Sequence, residues 1–238
     1  MLEKNFEEEL REDVGLPTRD LEPTPEQVAF GREHFSNTYA EFNETFGYGR
    51  VRGGRFQFCP IDVFRPLAAL IFKADPDLSH SDCHIVGYDA FGRDVTVWSE
   101  RFNVVNVDLL EYKISNYKLA PDDFGTMPLP IPVNPVPLNR ETRTRSILPS
   151  TAEIGECWDW QEGKMFDRCV KGFGPLEFGE VYGFVPSLGL TGYNTRSRVL
   201  ENVRRLRALE YFCMIAQLQP FRLVRNFGPR EETVREIG

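Results

Sequence analysis

The stretch Gly174–Gly192, GPLEFGEVYGFVPSLGLTG, decides how the chain is read. Gly179, Gly183, Gly189 and Gly192 interrupt a line of large apolar groups: Val181, Tyr182, Phe184, Val185, Leu188 and Leu190. Glycine inside such a run marks a bulge, a tight bend or a close backbone approach. Pro186 has no N–H for a ladder, so the run is not one unbroken central strand. It reads as strand, kink and strand. Beyond it, Val199, Val203, Leu206, Leu209, Cys213 and Ala216 recur every three or four positions. That spacing predicts an amphipathic helix over 195–218, stopped by Pro220, with Arg204, Arg205 and Arg207 towards other faces. The block holds packing residues and punctuation and almost nothing that performs chemistry. A rigid binding surface is the expected consequence.

Working outward, 125–145 (GTMPLPIPVNPVPLNRETRTR) is the clearest boundary, because Pro128, Pro130, Pro132, Pro135 and Pro137 remove too many donors for helix or central strand. An extended, polyproline-like strap joining two units is expected. It divides the chain into an N-terminal acidic helix and linker (1–24), a first domain (25–124), the strap (125–145) and a smaller α/β unit (146–238). In the first domain, Thr24-Pro25-Glu26-Gln27 has the form of a capping box. The helix it opens carries Val28, Phe35 and Tyr39 on one side and ends before Gly47. A glycine-rich turn then enters a strand at Phe56 and Phe58, and Asp62 is placed to cap a helix bearing Phe64, Leu67, Ala68 and Ile71. His84 to Trp98 reads as a β-hairpin with its turn at Ala90–Arg93, and Val104, Val105, Val107 and Leu109 extend the sheet. The final PREETVREIG is expected to be a solvated tail. The fold class is therefore α+β.

Composition narrows the function. The chain has 238 residues, 28 basic against 36 acidic, for a net charge of −8. Such a balance opposes sequence-independent binding to nucleic acid and favours a basic partner. The acidic N-terminus lacks the basic and apolar regions of a secretory signal, and no apolar run approaches the length of a membrane span. The chain is expected to remain in the cytoplasm. Five cysteines (Cys59, Cys83, Cys157, Cys169, Cys213) with no close spacing read as reduced thiols.

Catalytic patterns are sparse. His80-Ser-Asp-Cys-His84 gathers metal-ligand types, but no second cluster completes a four-ligand site and His34 is isolated in sequence. Cys83 and His84 are neighbours in a strand and point to opposite faces. No nucleophile elbow, P-loop, zincin or dinucleotide fingerprint occurs, so no cofactor and no metal are expected and the chain reads as non-enzymatic.

Two blocks together carry a resemblance. GPLEFGEVYGFVPSLGLTG followed by ENVRRLRALEYFCMIAQL resembles the tail signature of the GAD-like domain proteins, which include the Tdi-type immunity proteins of type VI secretion systems. Phe46-Gly-Tyr-Gly49 and Asp89-Ala-Phe-Gly-Arg-Asp-Val-Thr-Val-Trp98 resemble that family's turn and hairpin. The resemblance implies a GAD-like (SMI1/KNR4-like) N-terminal domain with a mixed or antiparallel sheet. It also implies a cytoplasmic bacterial protein that neutralises a cognate toxin, often a DNase, in a one-to-one complex by occluding its active site. In this reading Phe91, Gly92, Trp98, Tyr182, Gly183, Phe184 and Pro186 are structural. The acidic residues Glu7, Glu8, Glu9, Asp122 and Asp123 are candidate toxin contacts. An intracellular interaction scaffold with no toxin partner is the alternative, and a hydrolase using Cys83, His84 or a carboxylate pair is a further one.

Overall fold

The computed structural model describes residues 7–8, 10–116, 154–227 and 230–237. The proline strap, Glu9, Asp122 and Asp123 lie outside them, as do the boundaries expected at 124/125 and 145/146.

Local chemistry sets the first helices. Thr24 caps α1 (Pro25–His34): its hydroxyl accepts from the Gln27 amide at 3.3 Å, and Gln27 Oε1 accepts from the Thr24 amide at 2.9 Å. The single helix expected up to Gly47 is instead two. The chain breaks at Phe35 and restarts at Ser36, whose hydroxyl accepts from the Tyr39 amide at 3.1 Å and opens α2 (Asn37–Phe46). Serine competes for helix starts through this bond, so an internal serine splits a run whose apolar spacing looks continuous. The cap expected at Asp62 is also corrected. α3 (Arg65–Phe72) starts after Phe64 with no side-chain cap, and Asp62 accepts from Gln27 Nε2 at 2.7 Å instead.

The strands are β1 (Gly49–Val51), β2 (Phe56–Phe58), β3 (Cys83–Asp89), β4 (Val95–Ser99), β5 (Asn103–Asp108) and β6 (Lys113–Ser115). They form one antiparallel meander. A bulge between Ile85 and Gly87 in β3 resets the alternation, so Cys83, Ile85 and Tyr88 all enter one core. Val86 and Trp98 face the other side and pack with Phe35, Tyr39 and Ile61. Thus α1 and α2 cover one face and α3 lies on the other.

The C-terminal region departs most from expectation. α4 (Phe166–Phe173) is followed by β7 (Glu180–Phe184), the short α5 (Leu188–Thr191), β8 (Val203–Arg207) and α6 (Ala208–Ile215). The helix predicted over 195–218 is therefore a strand and a shorter helix. β8 pairs antiparallel with β7, from Glu180↔Arg207 to Phe184↔Val203, and Arg205 meets Glu180 across the pair at 2.6 Å. Cross-strand pairing with a partner some twenty residues upstream overrides the local three-and-four spacing.

The expected solvated tail is a strand. β9 (Phe221–Phe227) pairs parallel with β6, and β10 (Arg230–Ile237) forms the edge, giving the order β1-β2-β3-β4-β5-β6-β9-β10. Its charges are cross-strand partners: Arg225 with Glu232 at 2.8 Å and Lys113 with Glu231 at 3.0 Å. Arg235 clasps buried Asp75 (2.8 Å) and Asp77 (2.9 Å), while Ile237 is buried. A single buried cluster runs from Cys59 through β3–β6 to α4, β7, α6 and Ile237.

The family-like blocks meet physically. Phe91, at the β3–β4 turn, packs on Tyr182 (5.7 Å between ring centroids) and Phe184 (6.4 Å), and the Tyr182 amide donates to Ala90 O at 2.8 Å. Gly92 has φ +80°, and a Cβ there would stand 2.6 Å from Phe212. Beside this junction lies Gln57, fully buried in β2. Its Nε2 donates to Glu180 O at 2.7 Å, and its Oε1 accepts from the Gly179 amide (2.9 Å) and Tyr88 hydroxyl (3.2 Å). Gln57→Leu keeps the volume but strands these groups away from water. A loss of about 2–3 kcal/mol is expected, read from denaturant midpoints; an unchanged midpoint would show that the bridge contributes nothing.

Candidate interaction surface

The residues with catalytic potential are held in unreactive states. The Cys83 and Cys157 thiols are pushed up to about 12, in each case chiefly by burial, and Cys169 likewise. A thiol so placed stays protonated and is a poor nucleophile. Cys59 is buried and Cys213 half-buried, all five cysteines being unbridged. Cys83 lies in the main core and His84 on the opposite face, ringed by Phe30 and Phe35.

His34, isolated in sequence, is brought to His84 by α1. Both imidazoles address one carboxylate oxygen, Glu100 Oε1, at 3.0 Å from His34 Nδ1 and 2.8 Å from His84 Nε2. Burial lowers the His84 pKa while Glu100 opposes the shift. One Glu100 oxygen thus bridges the two imidazoles, and no cluster of three metal-ligating side chains suited to an ion occurs among the described residues. His80 bonds Lys73 O outside this group.

The candidate contacts separate. Glu7 pairs with Arg11 at 3.1 Å and Glu8 is exposed, while Leu10 and Val14 in the next turn are buried against Phe42, Phe56 and Phe58. Glu9, Asp122 and Asp123 lie outside the described residues. The α1–α2 hairpin adds Glu26, Glu33, Glu41 and Glu44 against Arg32 alone, an acidic bias that the sequence reading did not single out.

A different surface is apolar. Between the end of β7, α5 and α6 a groove encloses about 460 Å³, lined by Phe184, Val185, Pro186, Leu190, Leu206 and Met214 among others. Leu190 is 70% exposed, and Val185 and Met214 are 48% exposed. Its floor is fixed: Tyr211, buried, accepts the Phe184 amide on its hydroxyl at 2.9 Å. Val185 lies at the groove's edge before the cis Val185–Pro186 bond, and Ser187 then caps α5. Sequence reasoning placed Phe184 and Pro186 in a structural motif and did not single out Val185, Leu190 and Met214 as facing solvent. The signal was the apolar run continuing through Pro186 to Leu190.

An exposed, convergent set of apolar side chains on a folded scaffold is the mark of an interaction surface. Residues 4–111 match the GAD-like domain, and residues 150–219 match the C-terminal region of the T6SS immunity protein Tdi1. The chain thus carries a GAD-like domain followed by a region of the T6SS immunity protein Tdi1 type, and the two matches support a type VI secretion immunity protein with a non-enzymatic role that binds a cognate toxin. No curated protein matches it. The crystal structure of Atu4351 from Agrobacterium tumefaciens is similar, with 26% identity and a TM-score of 0.81 over 97% of each chain.

Proposed function

We propose that the cognate toxin is a DNase and that this chain neutralises it one-to-one by covering its active cleft. The Tdi1-type match carries the reading, and the excess of 36 acidic over 28 basic residues supports it. A DNase presents a cationic cleft to a polyanion, so an acidic inhibitor is steered towards it and displaces the substrate without chemistry of its own. The acidic α1–α2 hairpin extends that bias, with Glu7, Glu8, Glu9, Asp122 and Asp123 as further proposed contacts. The domain division at 24/25, 124/125 and 145/146 is proposed on the same footing, as is a bacterial cytoplasmic location without direct nucleic-acid contact. Among the described residues no helix is long and apolar enough to cross a membrane.

Co-expression with the product of the neighbouring gene tests this. A stable equimolar complex on gel filtration, loss of DNA cleavage and restored growth are the expected results. Reversing Glu7 and Glu8 to lysine should slow association about tenfold at low salt and weaken its salt dependence. A neighbour that still kills, with no recoverable complex, returns the chain to the scaffold alternative.

A further inference from the structure

We infer that the groove between β7, α5 and α6 is the anchoring site for an amphipathic segment of the cognate toxin. The segment would insert apolar side chains between Val185, Leu190 and Met214 and present an acid to Arg207 and a base to Glu210. This rests on the immunity reading and deepens it, since neither the family match nor the charge balance assigns a contact surface.

Four observations carry it. First, seven large apolar side chains are exposed among the described residues, and three of them, Val185, Leu190 and Met214, share this one groove. Scattered exposed apolar residues need no explanation, whereas a convergent set marks an interaction site. Second, the walls are held before any partner arrives. Tyr211 accepts the Phe184 amide at 2.9 Å, Tyr112 Oη donates to Ile215 O at 3.0 Å, and Gln219 Nε2 donates to Gly189 O at 2.5 Å. A preformed groove loses little order on binding, while the unbranched Met214 adapts to the inserted side chain. Third, the mouth bears one cation and one anion, Arg207 and Glu210, three residues apart across the β8–α6 junction. Neither forms an ion pair within 4 Å among the described residues: Arg207 stands opposite Glu180 in the strand register and its charge helps hold that carboxyl low, but Glu180 is gripped by Arg205 at 2.6 Å. An apolar trough with a two-signed rim complements a segment with an apolar stripe and opposite charges beside it. Fourth, every groove residue falls inside 150–219, the stretch that matches the Tdi1 C-terminal region.

The acidic surface and the groove then divide the work. Long-range charge speeds encounter, and the groove holds the complex, so its loss acts on dissociation.

The test uses the full chain co-expressed with the tagged product of the neighbouring gene. Leu190→Asp and Met214→Glu change exposed side chains, so each variant alone should melt as the wild type does. Complex recovery after gel filtration should fall at least about 30-fold for each, the scale of a binding hot spot, and growth protection should fall with it. The double reversal Arg207→Glu with Glu210→Arg should weaken recovery about tenfold through the rim alone. Variants that fold and still co-purify and protect like the wild type overturn the groove while leaving the immunity reading intact. A wild-type chain that captures nothing from its neighbour overturns the immunity reading and the groove's occupant with it. If the wild-type chain dimerises alone and Leu190→Asp makes it monomeric with complex recovery unchanged, the groove belongs to a second copy and the proposal is wrong.

Discussion

Gly155→Ala is expected to lower stability by about 4 kcal/mol, near the upper end of single-substitution effects, while Gly53→Ala should cost only about 1 kcal/mol. The two glycines share a left-handed backbone, φ +63° at Gly155 and +69° at Gly53. The conformational penalty for a Cβ is therefore nearly the same. They differ in their surroundings: a Cβ at Gly53 meets nothing within 4 Å, whereas one at Gly155 would stand 2.6 Å from both Cα and the carbonyl carbon of Arg55, and nearer still to its oxygen. That carbonyl cannot retreat cheaply, because it accepts the Ala90 amide at 3.0 Å and so ties β2 to the β3–β4 turn. The same strand edge also holds Arg55, which stacks 4.1 Å over Phe166 and pairs with Glu156 at 3.3 Å. Displacing Gly155 therefore loosens α4 as well as the hairpin. For a chain of this size the loss corresponds to a fall of about 8–16 °C in melting temperature. Equal losses in the two variants would mean that strain alone, and not the approach to Arg55, explains the glycine.

What the sequence revealed was local. The Thr24 box, the β3–β4 hairpin and the inward faces of Leu67, Ala68 and Ile71 each depend on residues within a few positions, where caps, turns and periodicity act. What it hid depends on distant partners. Val203 to Leu206 fits a helical stripe and a strand equally well, and only the presence of β7 decides between them. The tail has no apolar period of its own, because as an edge strand it answers charge to charge across β9. The parallel pairing of β9 with β6 also joins segments about 110 positions apart (Ile114↔Leu223), which no window along the chain can see. The candidate site followed the same division. An acidic total was legible, but Glu100 lying between His34 and His84 was not. Nor was the outward turn that leaves Val185 and Leu190 in solvent while Phe184, one residue earlier, is fully buried.

The Asp89 contribution to stability should fall as pH rises from about 4 to 7, and Asp89→Asn should remove that contribution. Asp89 is buried at the β3–β4 turn, where one oxygen accepts the amides of Phe91 (3.1 Å), Gly92 (2.6 Å) and Arg93 (2.9 Å). Burial, with repulsion from Asp94, pushes its pKa from 3.8 up to about 7, although backbone amides, those of Phe91 and Arg93 among them, pull the other way. Nearby Asp108 is likewise pushed up to about 6, chiefly by burial, with Arg93 opposing. A carboxyl that holds its proton more tightly when folded binds more protons in the native than in the unfolded chain between those two pKa values. Stability is thus complete below the unfolded value and is lost as pH climbs through the folded one. The Asp89 shift alone corresponds to a penalty on the order of 4 kcal/mol above neutrality. Asparagine keeps the accepting oxygen for the turn and never ionises, so the variant should match the wild type near pH 4 and exceed it by about 4 kcal/mol at pH 8. Urea midpoints taken at both pH values decide the matter. A variant that tracks the wild type at each would show that the three amides, and not the burial, set the charge state of this turn.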